Sequence, residues 1–310
     1  MTASKFGRAW VFPGVGVKPN GYESALYLSN HSIFLDFFDQ AAELSGRDLR
    51  ACLSQAPEAF PEGLDEQILG YGFACGLVEL LRRQGRAADI LGGNSFGVYP
   101  AVWAAGCLDF AQGLHILTAA FRCMEAASHQ QDCSLCAIVG LSKAEAEAII
   151  AETQASSVLC INANNQTCYI FSGLSADINR FAEACQAAGA INAAVLPVAL
   201  PYHHPHLTQS VKAEFAQAVQ ELEWRSPSLP IISTIDSSVL ETPTPIADFV
   251  ARQIFQPIDW SASVRSLYAL GVTSLFECGL GMSLTQNARF IDGQASWENC
   301  KTLMRRSVNA

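Results

Sequence analysis

The amino-acid sequence predicts an α/β fold in which a large α/β-hydrolase-like domain with a parallel sheet carries a small inserted ferredoxin-like domain. The length of 310 residues is long for one simple core and suits a large domain with a smaller one. Up to about residue 130, apolar runs of strand length alternate with stretches that are apolar at helical spacing. From about residue 134 to about residue 198, the order becomes strand, helix, strand, strand, helix, strand, which is that of a ferredoxin-like unit.

The first part begins with a predicted buried strand over Ala9–Phe12, which Pro13 and Gly14 end with a tight turn. A helix predicted over Ile68–Gln84 ends at Gly85, a residue type that often follows the last helical turn. The same spacing rules predict a strand over Ala88–Leu91 and helices over Ser32–Leu44, Phe96–Ala105 and Phe110–Ala127.

In the second part, helices are predicted over Lys143–Glu152 and Ala176–Ala188, and strands over Cys136–Val139, Val158–Asn162, Cys168–Ser172 and Ala193–Val198. We therefore expect a large catalytic domain formed by residues 1–130 and 200–310 and a small domain formed by residues 131–199. A cleft between two such domains is a natural place for a ligand site.

The composition excludes several classes of protein. Half of the residues are hydrophobic and 15% are charged, which is typical of a folded chain and not of a disordered one. The formal net charge is −10 and no run of lysine and arginine occurs, so nucleic acid is not an expected partner. No segment has the pattern of a signal peptide or of a membrane span, and we expect a cytoplasmic protein.

The eleven cysteines are interpreted as thiols of a reducing compartment. They lie in apolar surroundings, as at Cys75, Cys107 and Cys278. Cys133 and Cys136 have the spacing C-x-x-C, but a zinc site needs a second such pair or histidines at ligand spacing. Cys160 and Cys168 are too far apart to supply that pair, so we expect no metal.

A G-x-S-x-G motif lies between a predicted strand and a predicted helix, with Gly93 and Gly97 on either side of Ser95. This context fits a nucleophile on a sharp turn. The free N–H groups and the dipole at the start of the helix would favour a developing negative charge. The alternative is a glycine-rich turn with a solvated serine.

A serine hydroxyl needs a base to become a nucleophile at neutral pH. Three of the six histidines lie in or beside predicted helices, where core or surface roles are expected: His31, His115 and His129. The others are His203, His204 and His206, in the segment LPVALPYHHPHL where the chain returns to the large domain. One of them could face the cleft, and ordinary surface histidines are the alternative.

Seven segments in order resemble the malonyl-CoA:acyl-carrier-protein transacylases and the related acyltransferase domains of polyketide synthases. VFPGVG at 11–16 resembles the family's FPGQG, and GNSFG at 93–97 resembles its GHSLG. The others are AAGCLDF at 104–110, INANNQTCYIFSG at 161–173, LPVALPYHHPHL at 196–207, RQIFQPIDW at 252–260 and FECGLGMSL at 276–284. The segments are spread from residue 11 to residue 284, so the resemblance extends over nearly the whole chain and is more specific than any one motif.

The resemblance implies that Ser95 takes an acyl group from a thioester, holds it as an ester and releases it to a second thiol. It implies that His203 acts as the base towards Ser95 and as the acid towards the leaving thiolate. His204 and His206 do not match the motif's offset. The family orients its histidine with a backbone carbonyl, here that of Gln253, so no acidic third residue is required.

Further site residues follow from the same resemblance. The backbone N–H groups of Val15 and Phe96 would form the oxyanion site. Gln67 and Asn162 match polar pocket positions, and ordinary helix and strand polar residues are the alternative. The resemblance implies no bound cofactor. It implies a phosphopantetheine thioester, carried by CoA or by acyl carrier protein, as substrate, and acyl carrier protein as the partner of a monomer.

The sequence departs from the malonyl-specific members at one decisive position. Those members bind the free malonyl carboxylate with an arginine, and the position that matches it by counting from Ser95 is Ala120. Arg122 is two residues further along the helix, about 200° around it, and would point nearly the opposite way. Because an unpaired buried carboxylate is strongly disfavoured, malonyl is predicted to be a poor substrate. Ala120 is expected to open an apolar space for an acetyl or longer uncharged acyl group.

Other departures suggest a discrete enzyme that acts in trans. Asn94 replaces the family's histidine before the nucleophile, and Tyr202 precedes His203 where acyl choice varies, so both are candidate substrate-pocket residues. The predicted function is transfer of a non-malonyl acyl group to or between acyl carrier proteins, in polyketide or related biosynthesis. The alternative is an acyl hydrolase of the same fold. Two further hypotheses are a catalytically inactive docking subunit and a lipase of the α/β-hydrolase type. The presence of both Ser95 and His203 argues against the first. A lipase would need an acidic residue between the nucleophile and a later histidine, and no histidine follows His206.

Overall fold

Two β-sheets organise the chain in a computed structural model that describes residues 6–54, 60–196 and 200–308. The strands, in chain order, are β1 Arg8–Phe12, β2 Ile90–Gly93, β3 Cys133–Val139, β4 Leu159–Asn165, β5 Cys168–Leu174, β6 Asn192–Val195, β7 Ile231–Ile232, β8 Val239–Leu240, β9 Ile258–Asp259, β10 Ser274–Glu277 and β11 Ser296–Glu298. The helices are α1 Tyr22–Ser29, α2 His31–Ser45, α3 Leu64–Arg83, α4 Val98–Ala104, α5 Phe110–Ser128, α6 Lys143–Glu152, α7 Ser175–Ala187, α8 Lys212–Gln220, α9 Pro243–Gln253, α10 Trp260–Ala269, α11 Ser283–Asn287 and α12 Cys300–Val308.

The larger sheet has the strand order β11-β10-β1-β2-β7-β8, and all its pairings are parallel except that of β7 with β8. Its central strand β1 is apolar on both faces because helices cover both sides of a parallel sheet. Trp10 and Phe12 belong to one core cluster, whereas Ala9 and Val11 belong to another, as the alternation of side chains along a strand requires. The carboxyl end of β1 therefore lies beside that of β2, in the middle of the sheet.

The smaller sheet has the order β6-β3-β5-β4-β9. Its first four strands pair antiparallel and, with α6 and α7, form the ferredoxin-like unit, which has its own core around Phe171 and Phe181. Strand β9 comes from the later part of the chain and adds to β4 in parallel. The fold class predicted from the sequence is confirmed. The domain boundaries at residues 131 and 199 stay a prediction.

Several element boundaries differ from the sequence prediction. The helix predicted over Phe96–Ala105 is a 3₁₀ turn, Ser95–Gly97, followed by α4. The strand predicted over Ala88–Leu91 begins two residues later, because the Asp89 carboxylate caps the start of β1 by accepting from the Gly7 and Arg8 N–H groups. The end of the strand predicted over residues 193–198 reaches positions 197–198, which lie outside the described residues.

None of the helices in the described residues combines the length and apolarity needed to cross a bilayer. Within the same residues, no group of three or more histidine, cysteine, aspartate or glutamate side chains is placed to hold a metal ion. None of the eleven cysteines forms a disulfide in the described residues, and Cys133 and Cys136 are both buried on β3. Burial raises the pKa of Cys136 to about 12, so this thiol stays protonated at neutral pH.

Candidate active site

The turn after β2 presents Ser95 at the carboxyl end of a central strand. Ser95 has a φ of 55°, in the left-handed region that few residues other than glycine adopt. A Cβ atom at Gly93 would overlap the carbonyl group of Gly97, and one at Gly97 would overlap the carbonyl oxygen of Phe12. Both glycines of the motif are therefore required, because the chain reverses against β1 within three residues. Such a strand–turn–helix is the geometry of a nucleophile elbow.

The structure brings Ser95 and His203 together. The distance from Ser95 Oγ to His203 Nε2 is 2.7 Å, and that from His203 Nδ1 to the Gln253 carbonyl oxygen is 2.6 Å. Because a carbonyl can only accept, Nδ1 carries the proton and Nε2 accepts the hydroxyl proton of Ser95. The imidazole is thus in the tautomer that a general base needs.

Helix α9 fixes this histidine from its C-terminal end. Its last residue, Gln253, accepts from the imidazole, and the next carbonyl, that of Ile254, accepts from the His203 N–H at 2.6 Å. Carbonyls at a helix end have no intrahelical donor, and the helix dipole makes this end negative. The arrangement holds the neutral imidazole and would stabilise the imidazolium formed during a reaction.

His203 is 3% exposed, and this burial lowers its pKa to about 4, against a smaller raising effect of the Gln253 carbonyl. The imidazole is therefore neutral at pH 7, ready to take a proton. The hydrogen-bond acceptor at His203 Nδ1 is a backbone carbonyl, whereas in the Ser-His-Asp arrangement it is a carboxylate.

The neighbouring histidines face elsewhere. His204 Nδ1 accepts from the Leu207 N–H at 3.3 Å, and its Nε2 donates to the Ser157 carbonyl of the small domain at 3.0 Å. His206 lies with His204 in a surface groove. His203 has a φ of 65°, and this local reversal separates its side chain from those that follow.

Val15 and Phe96 line the same cavity as Ser95. Phe96 lies in the first turn of the 3₁₀ segment, where N–H groups have no intrahelical acceptor. The loop that carries Val15 packs on the serine turn, since a Cβ atom at Gly14 would lie 3.8 Å from Ser95 Cβ. The next N–H in this loop, that of Gly16, donates to the Glu66 carboxylate at 2.7 Å and holds the loop in place.

The cavity beside Ser95 has a volume of about 10 Å³, close to the space of one water molecule. Its lining residues are Val15, Gln67, Ser95, Phe96, Tyr99, Tyr202, Gln253 and Ile254. Among the described residues, no lysine or arginine lines it, and Arg122 is exposed on α5. A cation for a second carboxylate is therefore absent from this part of the described structure.

The structure does not place Ala120 beside this cavity, and the apolar space expected there stays a prediction. Ala120 is fully buried in the large core cluster and is not among the residues that line the cavity. Tyr202 packs against that same cluster, and its ring and that of Tyr99 form part of the wall instead. The wall is thus aromatic and polar where an open apolar space was expected.

The polar side chains of the wall are neutral. Gln67 Nε2 donates to Tyr202 OH at 3.4 Å, and burial raises the pKa of Tyr202. Tyr99 OH and both amide atoms of Gln253 are buried without a hydrogen-bond partner in the described structure. Sequence reasoning missed Tyr99 and Ile254. The four-residue interval from Ser95 to Tyr99 is the signal that could have found the tyrosine.

Asn94 and Asn162 do not line the cavity, although a pocket position was expected for both. Asn162 Nδ2 donates to Asn94 Oδ1 at 3.2 Å, and both side chains are buried. Asn94 follows β2 of the larger sheet and Asn162 lies on β4 of the smaller one. The pair therefore links the two sheets behind the serine turn.

Comparisons with known proteins match this architecture. The family model described as the acyl transferase domain matches residues 9–296. The malonyl CoA-acyl carrier protein transacylase of Escherichia coli (strain K12) is 29% identical over 280 residues, which cover 89% of this chain and 90% of that protein. The polyketide biosynthesis protein ThaF of Burkholderia thailandensis is 27% identical over 286 residues, which cover 91% of this chain and 24% of ThaF.

A solved structure of a type II polyketide synthase acyl-carrier protein in complex with its malonyl-transacylase superposes with a TM-score of 0.88. The sequences are 25% identical, and the match covers 98% of this chain and 100% of the other.

Proposed function

The chain belongs to the acyl transferase domain family, and from this membership and the site geometry we propose that it transfers an acyl group between thioesters through an acyl-Ser95 intermediate. The observation that carries the proposal is the 2.7 Å contact of Ser95 Oγ with the Nε2 of a buried, neutral imidazole. The imidazole's other nitrogen is held by a helix-end carbonyl.

In the first half-reaction, His203 Nε2 takes the hydroxyl proton as Ser95 Oγ attacks the thioester carbonyl carbon. The carbonyl oxygen becomes negative and accepts from the N–H groups of Val15 and Phe96. The tetrahedral intermediate then loses the thiolate, which receives the proton from His203. The products are an ester on Ser95 and a free thiol.

In the second half-reaction, a second thiol gives its proton to His203 Nε2 and attacks the ester carbon. Ser95 leaves and recovers the proton, and the product is a new thioester. The thiol in this proposal is the phosphopantetheine of CoA or of an acyl carrier protein, since relatives named for acyl carrier protein and the solved complex share this fold. The cysteines form no disulfide in the described residues, which supports a reducing compartment, the cytoplasm, as the proposed place of the reaction.

The acyl group in this proposal is not malonyl, although relatives are named for malonyl transfer. The residues that line the cavity supply uncharged phenol and amide groups. A carboxylate buried there without a cation would carry a large desolvation cost. The proposed role is a specialised one, in polyketide or related biosynthesis, for a chain that acts in trans as a monomer.

Hydrolysis of the acyl-serine is the second candidate. The cavity of about 10 Å³ lies beside Ser95 and has the space of one water molecule. Water activated by His203 would replace the second thiol, and the product would be a free acid.

Intact-protein mass spectrometry after mixing with acyl-CoA or acyl-carrier donors tests both candidates. We expect an adduct of the acyl mass on the wild-type chain and none on the Ser95→Ala variant. Accumulation of acyl-carrier product supports transfer, whereas free acid without it supports hydrolysis. The absence of any adduct and any turnover with all donors would refute the proposed chemistry.

A further inference from the structure

Two residues that line the cavity, Tyr99 and Gln253, carry three buried polar atoms without a hydrogen-bond partner in the described structure: Tyr99 OH, Gln253 Oε1 and Gln253 Nε2. Tyr99 is 1% exposed and Gln253 is fully buried. Leaving such groups unpaired in the interior is unfavourable, and native proteins seldom do so. Both residues line the cavity beside Ser95, where a group of a bound acyl chain would be close to them.

The fold holds both side chains on the elements that carry the reacting groups. Tyr99 lies on α4, four residues after Ser95. Gln253 lies on the buried face of α9 with Ile246, Phe249 and Val250, and its carbonyl holds the imidazole. The Gln253 side chain lies within hydrogen-bonding reach of the Tyr99 hydroxyl and favours its phenolate form, against the larger effect of burial, which raises the pKa of Tyr99. No hydrogen bond of normal geometry joins the two.

The wall contains a second polar pair, Gln67 and Tyr202, in which Gln67 Nε2 donates to Tyr202 OH. Tyr99 OH and the Gln253 amide have no such hydrogen bond. Together they offer an amide N–H donor, an amide oxygen acceptor and a phenol that can do either. The matching ligand group must be neutral, must both donate and accept, and must fit a space of about one water molecule. Among the groups that an acyl chain can carry, a hydroxyl is the smallest that meets all three conditions.

We propose that the acyl group carries a hydroxyl close to its carbonyl, as in a short hydroxyacyl thioester, and that Tyr99 and Gln253 bind this hydroxyl. This inference rests on the acyl transfer proposed above.

The test compares two CoA thioesters of equal size, hydroxyacetyl-CoA and propionyl-CoA, which differ by a hydroxyl in place of a methyl group. We expect kcat/KM for acylation of Ser95 to be about 10- to 100-fold higher for hydroxyacetyl-CoA, because the methyl group leaves the buried polar atoms unpaired. Tyr99→Phe and Gln253→Met are each expected to reduce this ratio. Gln253→Met keeps the backbone carbonyl that orients His203.

Equal rates for the two donors within about threefold would overturn the inference. A ratio that both folded variants keep unchanged would overturn it too, as would faster loading of malonyl-CoA than of hydroxyacetyl-CoA. If Gln253→Met fails to fold, Tyr99→Phe decides alone. Loading of propionyl-CoA without a preference would leave the proposed acyl transfer intact, whereas an unmodified Ser95 with every donor would refute the proposed function itself.

Discussion

The depressed pKa of His203 makes a sharp prediction about pH. Burial lowers this pKa to about 4 from an ordinary value of 6.5. At pH 5 an imidazole of pKa 4 is about 90% neutral, whereas one of pKa 6.5 is about 3% neutral. Acylation of Ser95 should therefore stay nearly constant from pH 8 to pH 5 and fall only as the pH approaches 4.

Single-turnover acylation, followed by quenching and intact-protein mass spectrometry, measures this rate directly. Donor concentration and ionic strength are held constant across pH 4–8, and circular dichroism confirms that the chain stays folded. A decline of about tenfold between pH 7 and pH 5.5 would mean that the base titrates like an exposed histidine. That result would refute the argument that a buried, carbonyl-held His203 is the base.

The same shift has a consequence for stability. Because the folded-state pKa is below the unfolded one, the unfolded chain binds the extra proton between pH 6.5 and pH 4. Stability is therefore lost as the pH falls through this window, by about 3 kcal/mol in total. His203→Gln should remove this part of the acid sensitivity in urea unfolding, while His115→Gln, at an exposed site on α5, should leave it unchanged.

Three further predictions follow from the packing around the site. Gly97→Ala should abolish acylation, because the new Cβ atom would overlap the carbonyl oxygen of Phe12 at the end of β1. The control Gly7→Ala should keep the acylation rate, because its Cβ atom would lie 3.5 Å from the nearest atom. Equal activity of the two variants would contradict the steric requirement for glycine in the turn. A double-mutant cycle of Asn94→Ala and Asn162→Ala, measured as the free energy of unfolding in urea, should give a coupling energy of about 1 kcal/mol. Additive effects on the free energy of unfolding would show that the hydrogen bond between the sheets does not contribute to stability. Ala120→Arg should lower the melting temperature, because position 120 is fully buried, and should not enable malonyl transfer, because position 120 does not line the cavity. Rapid malonyl loading by a stable Ala120→Arg variant would contradict the placement of Ala120 away from the substrate.

The sequence predicted the helices and strands whose apolar residues recur with a clear period, and the turn at Ser95, where the backbone requires glycine on both sides. The G-x-S-x-G spacing between a strand and a helix indicated the elbow, and the six-element order of the small domain indicated the second sheet. Helix α9 was not predicted, although Pro243 at its start and the spacing of Ile246, Phe249, Val250 and Gln253 form a regular buried face.

The choice among adjacent histidines could not be made from local pattern. His203 and His204 are consecutive, yet the first contacts Ser95 and the second contacts the small domain, because the backbone reverses at His203. The side chains that line the cavity beside Ser95 could not be predicted from the sequence pattern either. Counting along α5 indicated a missing charge at Ala120, but the tyrosines of two other segments form the wall, and only tertiary packing brings them there.

The most direct measurement maps the acyl adduct by peptide mass spectrometry in the wild-type chain and in two matched variants, His203→Ala and His204→Ala. We expect the adduct on Ser95 in the wild type and in His204→Ala, and acylation slower by about 10²- to 10⁴-fold in His203→Ala. An adduct on another residue, or an undiminished rate in a folded His203→Ala variant, would contradict acyl transfer through this serine and histidine.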